Sequence, residues 1–168
     1  MLGGGAARGR PAVAMRRGPL RNFLRRPRPE RAAIVEAIVW LGVARLALLV
    51  LAFRRLAAYL GEEGRETATG TPDDARARVV GQAVEAAARH APWQARCFAQ
   101  ALTATAMLRR RGLACTTYFG VARDGDRMTA HAWVRCGDRM VVGGVGHERY
   151  AVLAAFAAPS RPGRPSTV

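Results

Sequence analysis

The 168-residue sequence predicts an α+β fold in which helices come first and an antiparallel sheet follows. Three observations lead there. An apolar run from Ala37 to Phe53, then two stretches of helical periodicity, occupy the chain up to Gly112. Beyond Gly112 the apolar residues recur at every second position, with turns at Asp124-Gly125 and Gly137-Asp138. Half of all residues are apolar, enough for one packed core, which excludes a disordered chain or a collagen-like fibre.

Charge and cysteine content narrow the classes further. All 27 basic residues are Arg, set against 12 acidic ones, for a formal net charge of +15. Residues 1–60 hold twelve of the Arg and only two Glu. The complete absence of Lys fits a coding preference better than phosphate recognition. The basic arm also lacks interleaved aromatics, so no nucleic-acid partner is expected. Cys97, Cys115 and Cys136 are odd in number and widely spaced. That excludes a complete disulfide framework and predicts a reducing, cytoplasmic setting. No two Cys or His stand at ligand spacing, so neither a metal nor another cofactor is expected.

Residues 1–29 carry eight Arg, five Gly and no acid. Such a segment repels itself and buries little, and it reads as a disordered basic arm. A signal peptide is not expected, because the apolar stretch starts late and no small-residue cleavage site follows. Residues 30–60 read as an apolar helical segment. Its seventeen-residue run rises roughly 26 Å, short of a ~30 Å hydrocarbon core. Arg45 near its centre would cost about 2.5–3.5 kcal/mol on insertion scales. The expectation is a helix buried nearly all round by its own domain or a partner, with membrane-surface contact the alternative.

Residues 61–158 read as the core. An acidic, turn-rich stretch (61–75) leads to a helix start at Thr71-Pro72-Asp73. A helix over 74–90 follows, with Val79, Val80, Ala83, Val84 and Ala87 as its apolar stripe. His90-Ala91-Pro92 ends it. A second helix runs from Cys97 to Arg111 and stops at Gly112. Strands are predicted at Leu113–Val121 and Met128–Cys136, with a third starting over Arg139–Val142. Residues 148–157 read as a short helix or turn, and 159–168, with three Pro, as a frayed tail.

Two residues carry the chemistry. Cys97 sits where an irregular turn (91–96) enters a helix, so first-turn N–H groups, the helix dipole and the adjacent Arg96 all favour a thiolate. The commoner fate of a free Cys is that of a small buried hydrophobe, and Cys115 and Cys136 fit that description. His131, in Thr129-Ala-His-Ala-Trp-Val134, supplies the base that a thiol nucleophile needs. A solitary strand His is more often a satisfied or surface residue. His90, at a helix end, and His147, in a Gly-rich loop, are less well fixed.

Pro92-Trp93-x-x-Arg96-Cys97-x-x-Gln100-Ala101-Leu102, then Leu108-Arg-Arg-Arg-Gly112, then His131-Ala-Trp-Val134 resembles the transglutaminase-like leader peptidases of lasso peptide biosynthesis. The likeness is strong over 92–157 and looser across the apolar helix from Glu36 to Arg45. The resemblance implies a papain/transglutaminase-like core and a cysteine peptidase that removes the leader from a ribosomally made precursor. A separate ATP-dependent lasso cyclase then closes the ring. The chain has no room for a fused recognition domain, so the resemblance implies the split form, with a leader-recognition protein supplied in trans.

The sequence departs from the family pattern at one point. An Asp commonly lies about twelve residues after the His, on the next strand. With Gly137-Asp138 as a two-residue turn, Cys136 pairs with Arg139 and His131 faces Gly144, with Val142 and Gly143 nearby. None of these is an acid, and Asp138 lies at the turn. Three arrangements stay open: a backbone carbonyl orients the imidazole, Asp126 or Glu148 reaches in, or the enzyme is impaired. The first, or a distal orienter, is preferred. Oxyanion stabilisation falls to the Cys97 N–H and a donor such as Gln94 or Gln100. Trp133 shares the sheet face of His131 and either walls the site or belongs to the core. The competing functions are a transglutaminase-like acyltransferase acting on a peptide and a basic, non-enzymatic binding module.

Overall fold

The computed structural model describes residues 23–70, 74–91 and 97–160. Most of the basic arm, the helix start at Thr71-Pro72-Asp73, the turn with Gln94 and Arg96, and the end of the tail lie outside them.

Helix α1 spans Arg28–Val50, with Pro29 in its first turn, where a missing N–H costs no intrahelical bond. Glu30 in the same turn complements the helix dipole. One face, with Ala33, Ile34, Ala37, Leu41 and Ala44, is buried. The opposite face is not: Val39, Leu46, Leu49 and Val50 are 59–70% exposed. The expectation of burial nearly all round is therefore corrected for the protein's own fold, which covers a single face. By length and composition α1 is also apolar enough to cross a membrane. At Leu51 the backbone turns extended, and the short helix α2 (Phe53–Leu60) follows, burying Leu56 and Leu60.

Helix α3 (Ala75–His90) begins at Asp74, whose carboxylate accepts the Arg76 backbone N–H at 2.7 Å. It buries Val80, Ala83, Val84 and Ala87 of the predicted stripe. Helix α4 (Cys97–Arg110) is the central element, buried continuously from Ala101 to Leu108. Its two buried hydroxyls are satisfied: Thr103 donates to the Ala99 carbonyl at 2.8 Å, and Thr105 pairs with Thr117 at 2.8 Å. The stop is the predicted one. Gly112 adopts φ 70°, and the Leu113 N–H returns to the Leu108 carbonyl at 3.1 Å.

Among the described residues five antiparallel strands form the sheet: β1 (Glu62–Glu63), β2 (Cys115–Asp124), β3 (Arg127–Cys136), β4 (Arg139–Val142) and β5 (Ala151–Ala158), in the order β1-β5-β2-β3-β4. Two strands depart from expectation. Glu62-Glu63 is an edge strand inside the acidic turn segment. Residues 151–158 are not a helix or turn: only His147–Arg149 forms a 3-10 turn, and β5 pairs along β2. Ala-Val-Leu-Ala-Ala-Phe-Ala-Ala shows no period of two, and its alanines favour helix. Position between β1 and β2 overrides that preference.

The alternation of β2 and β3 sorts the sheet into two faces. Cys115, Thr117, Phe119, Ala132, Val134 and Phe156 belong to the helix side, where Thr117 meets Thr105 and Phe119 meets Phe98 at 4.8 Å between ring centroids. Helix α4 packs on β2, β3 and β4, and α3 packs on β4; α1 lies on α3 and α4. The molecule is thus three layers, with α1 outermost. The other sheet face carries Thr116, Tyr118, His131, Trp133 and Arg135. Residues 66 and 67 cover part of it, for the buried Arg135 guanidinium donates to Glu66 and to the Thr67 carbonyl, each at 3.0 Å, and to Tyr118 Oη at 2.9 Å.

Candidate active site

Cys97 is the first residue of α4 and is half-buried against the apolar core. The next residue, Phe98, rests on Phe119. The other two cysteines behave as structural residues. Cys115 is wholly buried, and desolvation pushes its thiol up to about 12, so it stays protonated at neutral pH. Cys136 closes the β3–β4 hairpin opposite Arg139, as the turn arithmetic predicts. None of the three is in a disulfide.

His131 lies in the middle of β3, directly across from Gly120 of β2. Its ring is half-buried, near-parallel to Trp133 at 5.8 Å and tilted against Tyr150 at 4.9 Å. Trp133 is 3% exposed and stacks on Tyr118 at 5.4 Å, so it packs as core while flanking the imidazole. Phe119 and Gly120 are consecutive, so the start of α4 and His131 occupy the same zone of the sheet. Their side chains differ in face: α4 packs on one side of β3 and the imidazole projects with Trp133 on the other. Among the described residues no hydrogen bond joins Cys97 to His131.

The imidazole does have an orienter. His131 Nε2 lies 2.8 Å from the carbonyl oxygen of Gly143, twelve residues on, just past β4. A carbonyl only accepts, so Nε2 carries the proton, and in the neutral ring the Nδ1 lone pair is left to act as a base. The turn arithmetic pairs Val134 with Val141, but a shift of register between Val134 and Arg135 makes Val142 its partner instead. That one-residue slip, with φ 70° at Gly143, turns this carbonyl toward His131.

The acidic candidates lie elsewhere. Asp126 is exposed in the β2–β3 turn. Glu148 is 72% exposed and faces His147 Nδ1 at 3.3 Å. Asp138 accepts the Gly70 backbone N–H at 2.8 Å. Of the oxyanion candidates, Gln94 is outside the described residues and Gln100 is half-buried one turn into α4. No cluster of three or more His, Cys, Asp or Glu suited to a metal occurs among the described residues.

Of two further neighbours of the site, Tyr150 was beyond sequence reasoning and His147 was named there without a place. Tyr150 contacts His131, and His147 packs against Trp133 at 5.7 Å with its Nδ1 2.6 Å from the Gly144 carbonyl. Both come from the connection between β4 and β5, whose course depends on β5 being a strand.

Comparison with known families agrees with this architecture. The profile of the transglutaminase-like superfamily matches residues 38–155, well over half of the chain. Searches of curated proteins and of solved structures return no match. The match starts within α1 and runs through Cys97, His131 and Gly143 into β5. The chain therefore belongs to the transglutaminase-like superfamily, whose members are typically cysteine-dependent enzymes.

Proposed function

We propose that the protein is a cysteine peptidase that removes the leader from a ribosomally made lasso peptide precursor before a separate ATP-dependent cyclase closes the macrolactam. The observation that carries the reading is the 2.8 Å contact of His131 Nε2 with the Gly143 carbonyl. It sits at the position where an acid commonly orients the catalytic imidazole, and it leaves Nδ1 as the base. The motif around Cys97 and the superfamily match support the same assignment.

In this mechanism His131 Nδ1 accepts the Cys97 thiol proton, and the thiolate attacks the scissile carbonyl. Collapse of the tetrahedral intermediate breaks the C–N bond, and His131 returns the proton to the leaving amine. The remaining thioester reacts with a water that His131 deprotonates, which frees the leader carboxylate and the thiol. The Cys97 N–H, at the start of α4, is an oxyanion donor. In the free chain the imidazole projects from the face of β3 away from α4 and no hydrogen bond joins it to Cys97, so the mechanism requires a rearrangement on substrate binding that brings thiol and imidazole to one side of the sheet. A leader-recognition protein acting in trans presents the precursor in the cytoplasm.

The test combines the full chain, its precursor and the cognate recognition protein, with leader release followed by mass spectrometry. Cys97→Ala and His131→Ala are each expected to lower release by about 10³-fold or more. Wild-type release by either variant overturns the mechanism. Transfer of the acyl group to an added amine in preference to water would reassign the protein as an acyltransferase.

A further inference from the structure

The outer face of the helical layer is unusually apolar for a surface. Val35, Val39, Val43, Leu46, Leu49 and Val50 recur along α1 at helical spacing on the side away from its own core, and all are 48–70% exposed. Only 28% of the most apolar stretch of the helix is buried. Beside this ridge lies a groove of about 300 Å³ between α1, α2 and α4, lined by Trp40, Ala47, Leu56, Tyr59, Leu102 and Ala106 among others. Ridge and groove share Val43 and form one continuous apolar surface.

The charge around this surface has a single sign. Arg45, Arg54 and Arg55 are exposed along α1 and α2, with Arg25 and Arg28 exposed at the start of α1, and Arg55 stands at the groove itself. Residues 23–60 contain two carboxylates, and both are engaged: Glu30 with Arg26 at 3.3 Å, and Glu36 with Arg110 and Arg111. A second copy is a poor occupant. Two α1 ridges packed antiparallel would set their Arg45 side chains against each other near the middle of the contact, and packed parallel would bring Arg54 and Arg55 together as well. The ridge alone would suit a lipid surface, whereas a recess of about 300 Å³ with Arg55 at its edge suits an acidic protein partner whose apolar side chains fill it.

We infer that the α1–α2 ridge and groove dock a protein partner through an amphipathic helix, with apolar residues on one face and Asp or Glu flanking them. Apolar anchors in the groove supply affinity, and the arginine rim supplies orientation and encounter rate. The identity of that partner rests on the proposed function: it is the leader-recognition protein, which must be held near the peptidase without occupying its site.

The test measures binding of the full-length chain to that recognition protein by calorimetry, in wild-type and Cys97→Ala backgrounds. Binding equal in those two backgrounds, weakened about tenfold or more by Leu46→Glu and by the Arg54→Glu/Arg55→Glu pair, is the expected result. Leu46 is 60% exposed, so Leu46→Glu is expected to fold, with far-ultraviolet circular dichroism as the check. The docking inference is overturned if the recognition protein binds all variants alike, even where leader release depends on Cys97. It is also overturned if Leu46→Glu abolishes binding to phosphatidylglycerol-containing vesicles but not to the protein. Self-association in sedimentation velocity that the same substitution removes would overturn it in favour of a second copy.

Discussion

At φ 70°, Gly143 occupies backbone space that side chains rarely adopt, and a Cβ there would lie 2.5 Å from the Ala132 carbonyl oxygen and 3.0 Å from Trp133 Cβ. Substitution must move either this segment or β3, and both carry the contact that orients His131. Gly143→Ala is therefore expected to lower kcat for leader release by about 10²-fold, with strain of about 1–3 kcal/mol in chemical denaturation. Asp126→Ala and Glu148→Ala should retain wild-type turnover, since neither side chain reaches the imidazole. Loss of activity in either would return the orienting role to a carboxylate. Gly120 answers to the same geometry, because a Cβ there would meet the Trp133 ring at 2.9 Å.

Among the elements, α1 is tied to α4 by Glu36, whose carboxylate meets Arg111 at 2.7 Å and Arg110 at 3.1 Å. The pair with Arg111 is about three-quarters shielded from solvent on both sides, so it is worth more than an exposed ion pair. Glu36→Ala is expected to cost about 1 kcal/mol and to speed amide exchange in α1 ahead of α4. Equal exchange in the two helices would show that apolar packing alone holds the layer. Helices α3 and α4 and the β2–β3 hairpin were legible because their signals are local: Gly112 ends a helix, and a period of two needs no distant partner. Strand β5 was not legible. Its alanine-rich sequence is a helix former in isolation, and only the neighbouring β1 and β2 make it a strand. At the site, the turn at Gly137-Asp138 led within one residue of the orienting carbonyl, but the irregularity at Val134–Arg135 has no signature in residue type. The outward face of α1 was obscured for another reason, since a helix apolar on every side does not reveal which side its own fold will cover.

Across the whole molecule the core lies between the helix layer and the sheet, and Cys115 is sealed within it. Burial pushes that thiol up to about 12 from an ordinary value near 9. Between those values the unfolded chain has released a proton that the folded chain retains. Stability from this group is therefore intact below pH 9 and falls as pH rises toward 12, by at most about 1.4 kcal/mol per pH unit. Urea unfolding of wild type and Cys115→Ala at about pH 8 and about pH 10.5 should show a smaller alkaline loss in the variant. An unchanged difference would assign the alkaline sensitivity to other groups. The layering also sets a ruler for the substrate. Helix α1 and the His131 face of the sheet stand on opposite sides of the α3–α4 layer, two packing intervals of about 10 Å apart. Under the proposed function, a precursor gripped by a partner on α1 and cut beside His131 would have to travel around that layer. Even fully extended, it needs about six residues to cover roughly 20 Å, so shortening the leader between its anchor and its cleavage point below that span should separate capture from cutting.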